Sequence, residues 1–369
     1  MKKLPLLAAF PFWFGGVAST LAQSVTLPAA SPRASVTQTV GITAIAVNYG
    51  RPAVNQREIW GKLVPYGYND LGFGTAKAAP WRTGADENTV ISVQHDVRVA
   101  GRPLAAGAYG LFMALTAAGE VTVIFSKDAG AWGSFFYDPA HDALRVTTKW
   151  EDAPFREQLT YEFTDVTKTT AVLALHWEKK RIPIAIAVDT DAIVVANLKR
   201  ELTSAKGFEY QAWVNASTYL VQNNLDLELA LQWAEAAIST PFVGRSNFLT
   251  LSNKAAVLDK LGQADEARKL MDEAVKSGTA AEIHQYGRRM ITEKRAARAL
   301  EIFQLNARLH PDVWPVNYGL ARGYSAVGNY AAALEALQRA EQQVPAGDTV
   351  NAAAIKTNLE KLKRGENIN

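Results

Sequence analysis

At 369 residues, 48% hydrophobic and 20% charged, the chain is long enough for two globular domains, each burying its own core. Its 39 basic and 36 acidic side chains leave a formal charge of +3, which makes no electrostatic case for nucleic acid or an anionic membrane as a partner. It contains no cysteine, which excludes a disulfide, a thiolate metal site and a lipid-modified cysteine.

The chain opens on Lys2 and Lys3, an apolar run from Leu4 to Val17 and small residues up to Ala22, the three regions of a secretory signal over residues 1–22. Thr20 and Ala22 suit the positions before a cleavage, so the expected mature protein begins near Gln23 and resides in the periplasm or outside the cell. Loss of both lysines takes the formal charge from +3 to +1. A short buried helix is the alternative for this run, although nothing after it continues a helical pattern. Neither it nor any later stretch supplies the roughly 20 apolar residues of a membrane span.

Residues 31–188 read as one domain. From about Ser35 the hydrophobic period is two, as a strand with one buried face requires: Ile45, Val47 and Tyr49; Val121, Val123 and Phe125; Leu159, Tyr161 and Phe163; Leu173, Leu175 and Trp177; Ile182, Ile184, Ile186 and Val188. Turn signals fall at Ala100-Gly101-Arg102-Pro103, Ala118-Gly119, Lys127 to Gly130 and Glu178-Lys179-Lys180. Roughly ten short strands at such spacing predict an antiparallel β-sandwich or barrel-like domain.

Between two of these strands, Tyr49 to Glu87 has no sustained period yet gathers arginines, aromatics and acids. A loop this long inside a compact domain tends to be functional or disordered, and its aromatics and prolines favour order. Two readings follow. In one, Arg82 pairs internally with Asp86 across a turn at Gly84, and Trp81 plugs the core. In the other, Arg51, Arg57 and Arg82 receive a small anionic or glycan ligand beside Asp86 and Glu87, with Trp60 or Trp81 as a stacking face. Glu58, Asp86 and Glu87 are weak candidates for the acid and base of a cell-envelope, possibly glycan-directed, hydrolase.

At about Asp189 the period changes to 3.6 and stays there. Residues 189–206, with Ile193, Val194, Ala196, Leu198 and Leu202, form an expected connecting helix. Over 207–369, Ala230, Ala267, Ala299 and Ala333 recur near the 34-residue period of tetratricopeptide repeats, which this α-solenoid resembles. Pro241, Pro311 and Pro345 close three of the helix pairs, and Asn351 to Lys363 reads as a polar cap. An unrelated helical bundle is the alternative. By repeat register, Asn215, Tyr219, Ser252, His284, Arg288, Tyr318 and Arg322 line the concave face, where a protein or peptide segment would bind.

Other chemistry is sparsely provided for. The 5 histidines are scattered without metal-ligand spacing, and Asp138, His141 and Asp142 read as a surface turn. There is no nucleophile elbow, phosphate loop or dinucleotide fingerprint. No metal or cofactor is expected.

Several motifs are similar to those of the bacterial family called domain of unknown function 2911: Ser31 to Gln38, Val47-Asn-Tyr-Gly-Arg-Pro52, Arg57-Glu-Ile-Trp-Gly61, Leu63 to Gly67, Pro80 to Glu87, Gly107-Ala-Tyr109, Trp132-Gly133 and Asp142 to Arg145. The resemblance runs from about Ser31 to Val188. It implies an exported bacterial protein, often with helical repeats after the domain, and no assigned activity. Asp86 stands where the family motif carries asparagine, so no role of a neutral amide is carried over. The expectation is a protein that acts by binding, with the carboxylate hydrolase as the alternative.

Overall fold

The structure, a computed structural model, describes residues 27–369. The signal segment and the cleavage expected near Ala22 lie outside the described residues. The chain divides into two compact units, one ending at Thr190 and the other running Asp191–Asn369.

Among the described residues the first unit contains ten strands: β1 Arg33–Val40, β2 Thr43–Gly50, β3 Val90–Val93, β4 Val97–Val99, β5 Arg102–Leu104, β6 Gly107–Leu115, β7 Glu120–Ser126, β8 Asp142–Lys149, β9 Glu151–Thr164 and β10 Thr170–Ala187. All pairings are antiparallel, in one sheet of order β1-β2-β3-β6-β7-β8 and another of order β5-β4-β10-β9. The inward residues of β2, Thr43, Ile45, Val47 and Tyr49, are buried while Asn48 between them is exposed. Between the sheets the Tyr49 and Tyr161 rings meet edge-on at 4.8 Å, and the Tyr161 backbone N–H donates to the Tyr49 hydroxyl at 3.1 Å. This is the sandwich form of the expected fold.

Two turn signals are corrected. Glu178-Lys179-Lys180 lies inside β10, which runs 18 residues and takes up two register shifts against β9 there, with Glu178 at φ 53°. Bulges absorb the extra residues without ending the ladder; the polarity of these residues reflects solvent, not a turn. Only Ala100 and Gly101 turn the chain between β4 and β5, both at positive φ, which matches the right-handed twist of a two-residue hairpin. Arg102 and Pro103 already belong to β5.

Along β6, Tyr109 to Leu115 are all buried, so alternation fails there. Its second face is covered by Ala76 and Ala79 from the long loop and by Tyr137, which pack on Phe112 and Ile124. The segment between β2 and β3 is thus a layer on the sandwich. It is pinned by the two-way backbone pairing of Trp81 with Met113 and of Asn69 with Ala79.

The second unit stacks helix pairs. After α1 (Thr190–Leu202) come α2 Tyr210–Gln222 with α3 Leu227–Ser239, α4 Phe248–Lys260 with α5 Ala264–Ala274, α6 Ala280–Thr292 with α7 Ala296–Leu309, and α8 Trp314–Ala326 with α9 Tyr330–Gln343; α10 Thr349–Lys363 closes the array. Side-chain caps start α3 (Asp226), α4 (Asn247), α6 (Thr279), α9 (Asn329) and α10 (Asp348). Ala230, Ala267, Ala299 and Ala333 are all buried where the helices touch. Phe303 of α7 fills the space that Gly287 of α6 and Gly319 and Gly323 of α8 leave open, which lets α6 and α8 pack directly.

Candidate functional site

Local backbone pairing builds the β-domain site. Val54 N–H donates to Glu157 O at 2.8 Å and Leu159 N–H to Pro52 O at 3.0 Å, which ties the start of the loop to β9. Arg51 reinforces this link through Nε to Leu159 O at 3.0 Å and Nη2 to Thr160 Oγ1 at 2.8 Å. Its fork is therefore committed to β9. Trp60 sits at the centre of an aromatic cluster, edge-on to Trp81, Trp150 and Trp177, with its Nε1 buried and unpartnered. Part-buried, it packs within this cluster and, unlike Trp81, does not line the neighbouring cavity.

Beside this cluster lies a cavity of about 290 Å³. Trp81, stacked on Trp177 at 14°, forms one wall. Arg57, Arg82, Asn69, Ser31 and Ser134 supply its polar lining, and Leu63, Val64, Pro65 and Leu71 are among its apolar residues. Among the described residues, no carboxylate lines it. Glu58 and Asp86 are exposed, and Glu87 pairs with Arg33 at 3.3 Å on the surface. The three acids do not face one another across the cavity as the two carboxyls of a glycosidase do.

Arg82 is the informative residue. Its Nη1 donates to the backbone carbonyl of Asp86 at 2.7 Å, which corrects the expected ion pair with the Asp86 carboxylate. The turn has Thr83 at φ 53° and Asp86 at φ 60°, and this points the carbonyl, not the side chain, at the guanidinium. The guanidinium lies 5.0 Å from the Phe135 ring centroid and against Gly133, whose position has no room for a Cβ. Burial lowers the Arg82 pKa, and the charge of Asp86 only partly opposes that. A half-buried cation with no carboxylate in hydrogen-bond contact thus faces a cavity without acids. Arg57, by contrast, is exposed at the cavity and donates to Ala53 O and Val54 O of its own loop.

Sequence reasoning missed Ser31, Asn69, Ser134, Phe135 and Trp177 as parts of this site. The nearby Trp132-Gly133 pair was the one available signal. The surface-turn reading holds for Asp138, which caps a one-turn helix over Pro139–His141, and for exposed His141, whose Nδ1 lies 2.7 Å from Asp128 Oδ2. Asp142 departs from it: buried, it accepts from Tyr137 Oη at 2.7 Å and Arg145 Nε at 2.5 Å.

In the helical unit the seven groove residues do not form one open surface. Asn215 and Arg288 are exposed, and Ser252 donates to Leu249 O. Tyr219 donates to Asp191 at 2.6 Å. His284 packs edge-on against Phe303, its Nδ1 buried and unpartnered, and burial beside Arg288 and Arg322 holds its pKa down to about 4. Tyr318 accepts from Asn358 of α10 at 2.7 Å, while Arg322 reaches Ile368 O at 3.4 Å. The segment after α10 folds back and buries Ile368, so Tyr318 and Arg322 are not a free groove. Elsewhere an open cleft of about 390 Å³ lies between α4 and α6, lined by Phe248, Ser252, Met271, Tyr286 and Arg289. A second cavity of about 380 Å³ shares Met271, Tyr286 and Arg289 and adds Lys260, Arg268, Arg295, Asp259 and Glu293.

Residues 31–186 match the family model described as protein of unknown function DUF2911. No curated protein is similar in sequence. Among solved structures, the C-terminal part of a TPR repeat-containing protein from Cytophaga hutchinsonii aligns at 14% identity and TM-score 0.34, covering 47% of this chain and 66% of that one. YrrB, described as a TPR protein with an unusual peptide-binding site, aligns at 22% identity and TM-score 0.29, covering 45% and 83%. MamA AMB-1 aligns at 16% and 0.29, covering 44% and 86%.

Proposed function

We propose that this protein, a DUF2911 domain followed by tetratricopeptide-like helix pairs, works by binding: its β-domain holds a small anion in the cavity at Arg82, and its helical unit holds a protein or peptide segment. The observation that carries the reading is the half-buried Arg82 guanidinium, which faces a cavity lined by no acid and hydrogen-bonds only a backbone carbonyl among the described residues. Removing a charge from water is costly unless it is paired, and an anion in the cavity would provide the pair. In the helical unit, the cleft at Phe248, Met271 and Tyr286 suits an apolar side chain. Lys260, Arg268, Arg289 and Arg295 outnumber Asp259, Glu282 and Glu293 around it and favour acidic neighbours in the bound segment. The signal-like residues 1–22 support action in the periplasm or outside the cell.

Titration of the full-length protein with acetate, succinate and phosphate, read by tryptophan fluorescence, tests the anion site. Saturable binding that Arg82→Gln weakens at least about tenfold is expected; a response unchanged in Arg82→Gln would refute it. For the helical unit, peptides selected from a random library should lose binding in Tyr286→Ala and in Arg289→Glu.

A further inference from the structure

The mouth of the Arg82 cavity is unusually apolar for a solvent-facing surface. Leu63 and Leu71 line the cavity and are exposed at 43% and 39%. Two residues along the chain from the lining residues Leu71 and Ser134 stand Phe73 at 65%, Phe136 at 51% and Trp132 at 57% exposure. These residues come from two loops that are held together. Ala76 N–H donates to Phe135 O at 3.0 Å, and the Phe73 ring meets those of Phe135 and Phe136 edge-on at 5.5 and 5.8 Å. The Phe135 ring in turn carries the Arg82 guanidinium. A continuous path therefore leads from the cation to exposed aromatic carbon. Soluble proteins seldom keep such a patch unless something covers it.

We infer that the ligand of this cavity is a free anionic amphiphile, with its carboxylate or comparable head held by Arg82 and Arg57 and its apolar tail laid over Leu71, Phe73 and Phe136. The inference rests on the anion-binding reading above and adds the other end of the ligand. Size supports it. At about 290 Å³ the cavity lies at the lower limit of the roughly 300–1,000 Å³ typical of ligand sites. It takes a head and the first part of a chain, and the remainder must leave across the rim. Charge supports it as well: no acid among the described residues lines the cavity, and nearby Asp86 is exposed to solvent.

The test titrates the full-length protein with straight-chain carboxylates from acetate to decanoate, each below its micellar concentration. Affinity should rise by about twofold or more per methylene, short of the roughly fourfold that full burial would give. Arg82→Gln should weaken decanoate at least about tenfold. Arg57→Gln, a change at an exposed side chain that leaves the fold intact, should weaken it severalfold. Replacing both exposed rings, Phe73→Ser with Phe136→Ser, should leave acetate binding unchanged and flatten the chain-length dependence. If decanoate binds no tighter than acetate, the amphiphile inference falls while the anion site stands. If no carboxylate binds, or if decyltrimethylammonium binds as tightly as decanoate, the anion site falls too. Sedimentation with phosphatidylglycerol vesicles without decanoate binding would also overturn the inference, with a membrane surface as the occupant.

Discussion

Single residues here are decided by which atom meets which. Had Arg82 been paired with a buried carboxylate, Arg82→Ala would have cost about 3 kcal/mol or more. Its partner is a backbone carbonyl and Asp86 is exposed, so the expected loss is about 1–2 kcal/mol, from one charge-assisted hydrogen bond and the contact with Phe135. Urea denaturation measures it. His284 bears on pH. Burial holds its folded pKa at about 4, below the ordinary value near 6.5, so between these values the unfolded chain binds the proton more readily. The native state is thus fully favoured above pH 6.5 and loses roughly 2–3 kcal/mol as pH falls toward 4. Denaturation of wild type and His284→Gln across this range should show a loss that is about 2–3 kcal/mol larger in wild type. The comparison is made with the variant because His176, whose pKa burial also lowers, titrates in both proteins.

At the level of elements, close packing outweighs local preference. Gly287 lies inside α6, where alanine would be favoured by up to about 1 kcal/mol. A Cβ there would come within 2.7 Å of the Phe303 ring, and that ring is wedged against Gly319 and Gly323 as well. With no space for the ring to move, Gly287→Ala should destabilise by about 1–3 kcal/mol as overpacking does, read as a drop in Tm. In the β-domain, β10 shows the same priority, since its long ladder with β9 carries the chain through a polar triplet that looks like a turn. The outer face of β6 is covered by the loop, not by another strand.

At the scale of the whole molecule, the switch in hydrophobic period near Asp189 and the two compact units lead to a prediction about cleavage. Limited proteolysis should cut first between residues 188 and 208, and fragments arising mainly inside either unit would count against that boundary. A second expectation concerns export. N-terminal sequencing of the protein recovered from outside the cytoplasm should read from near Gln23, whereas an intact Met1 in a cytoplasmic fraction would overturn the signal reading.

The sequence by itself determined the fold class and the family resemblance. Period two in Ile45, Val47 and Tyr49, and the recurrence of Ala230, Ala267, Ala299 and Ala333, depend only on neighbours within one strand or one helix pair. It also singled out the loop that holds Arg57, Trp81 and Arg82, because that composition without a period is itself a local signal. Only the tertiary structure decided what those residues do. Arg51 was assigned to β9, Trp60 to the aromatic cluster and Arg82 to the cavity by partners at Leu159, Trp177 and Phe135, far away in the chain. Tyr318 and Arg322 were closed off by the segment around Ile368. Secondary structure is set by short-range periodicity, which one sequence displays. A side chain's partner is set by the folding of distant segments onto it, which local periodicity does not encode.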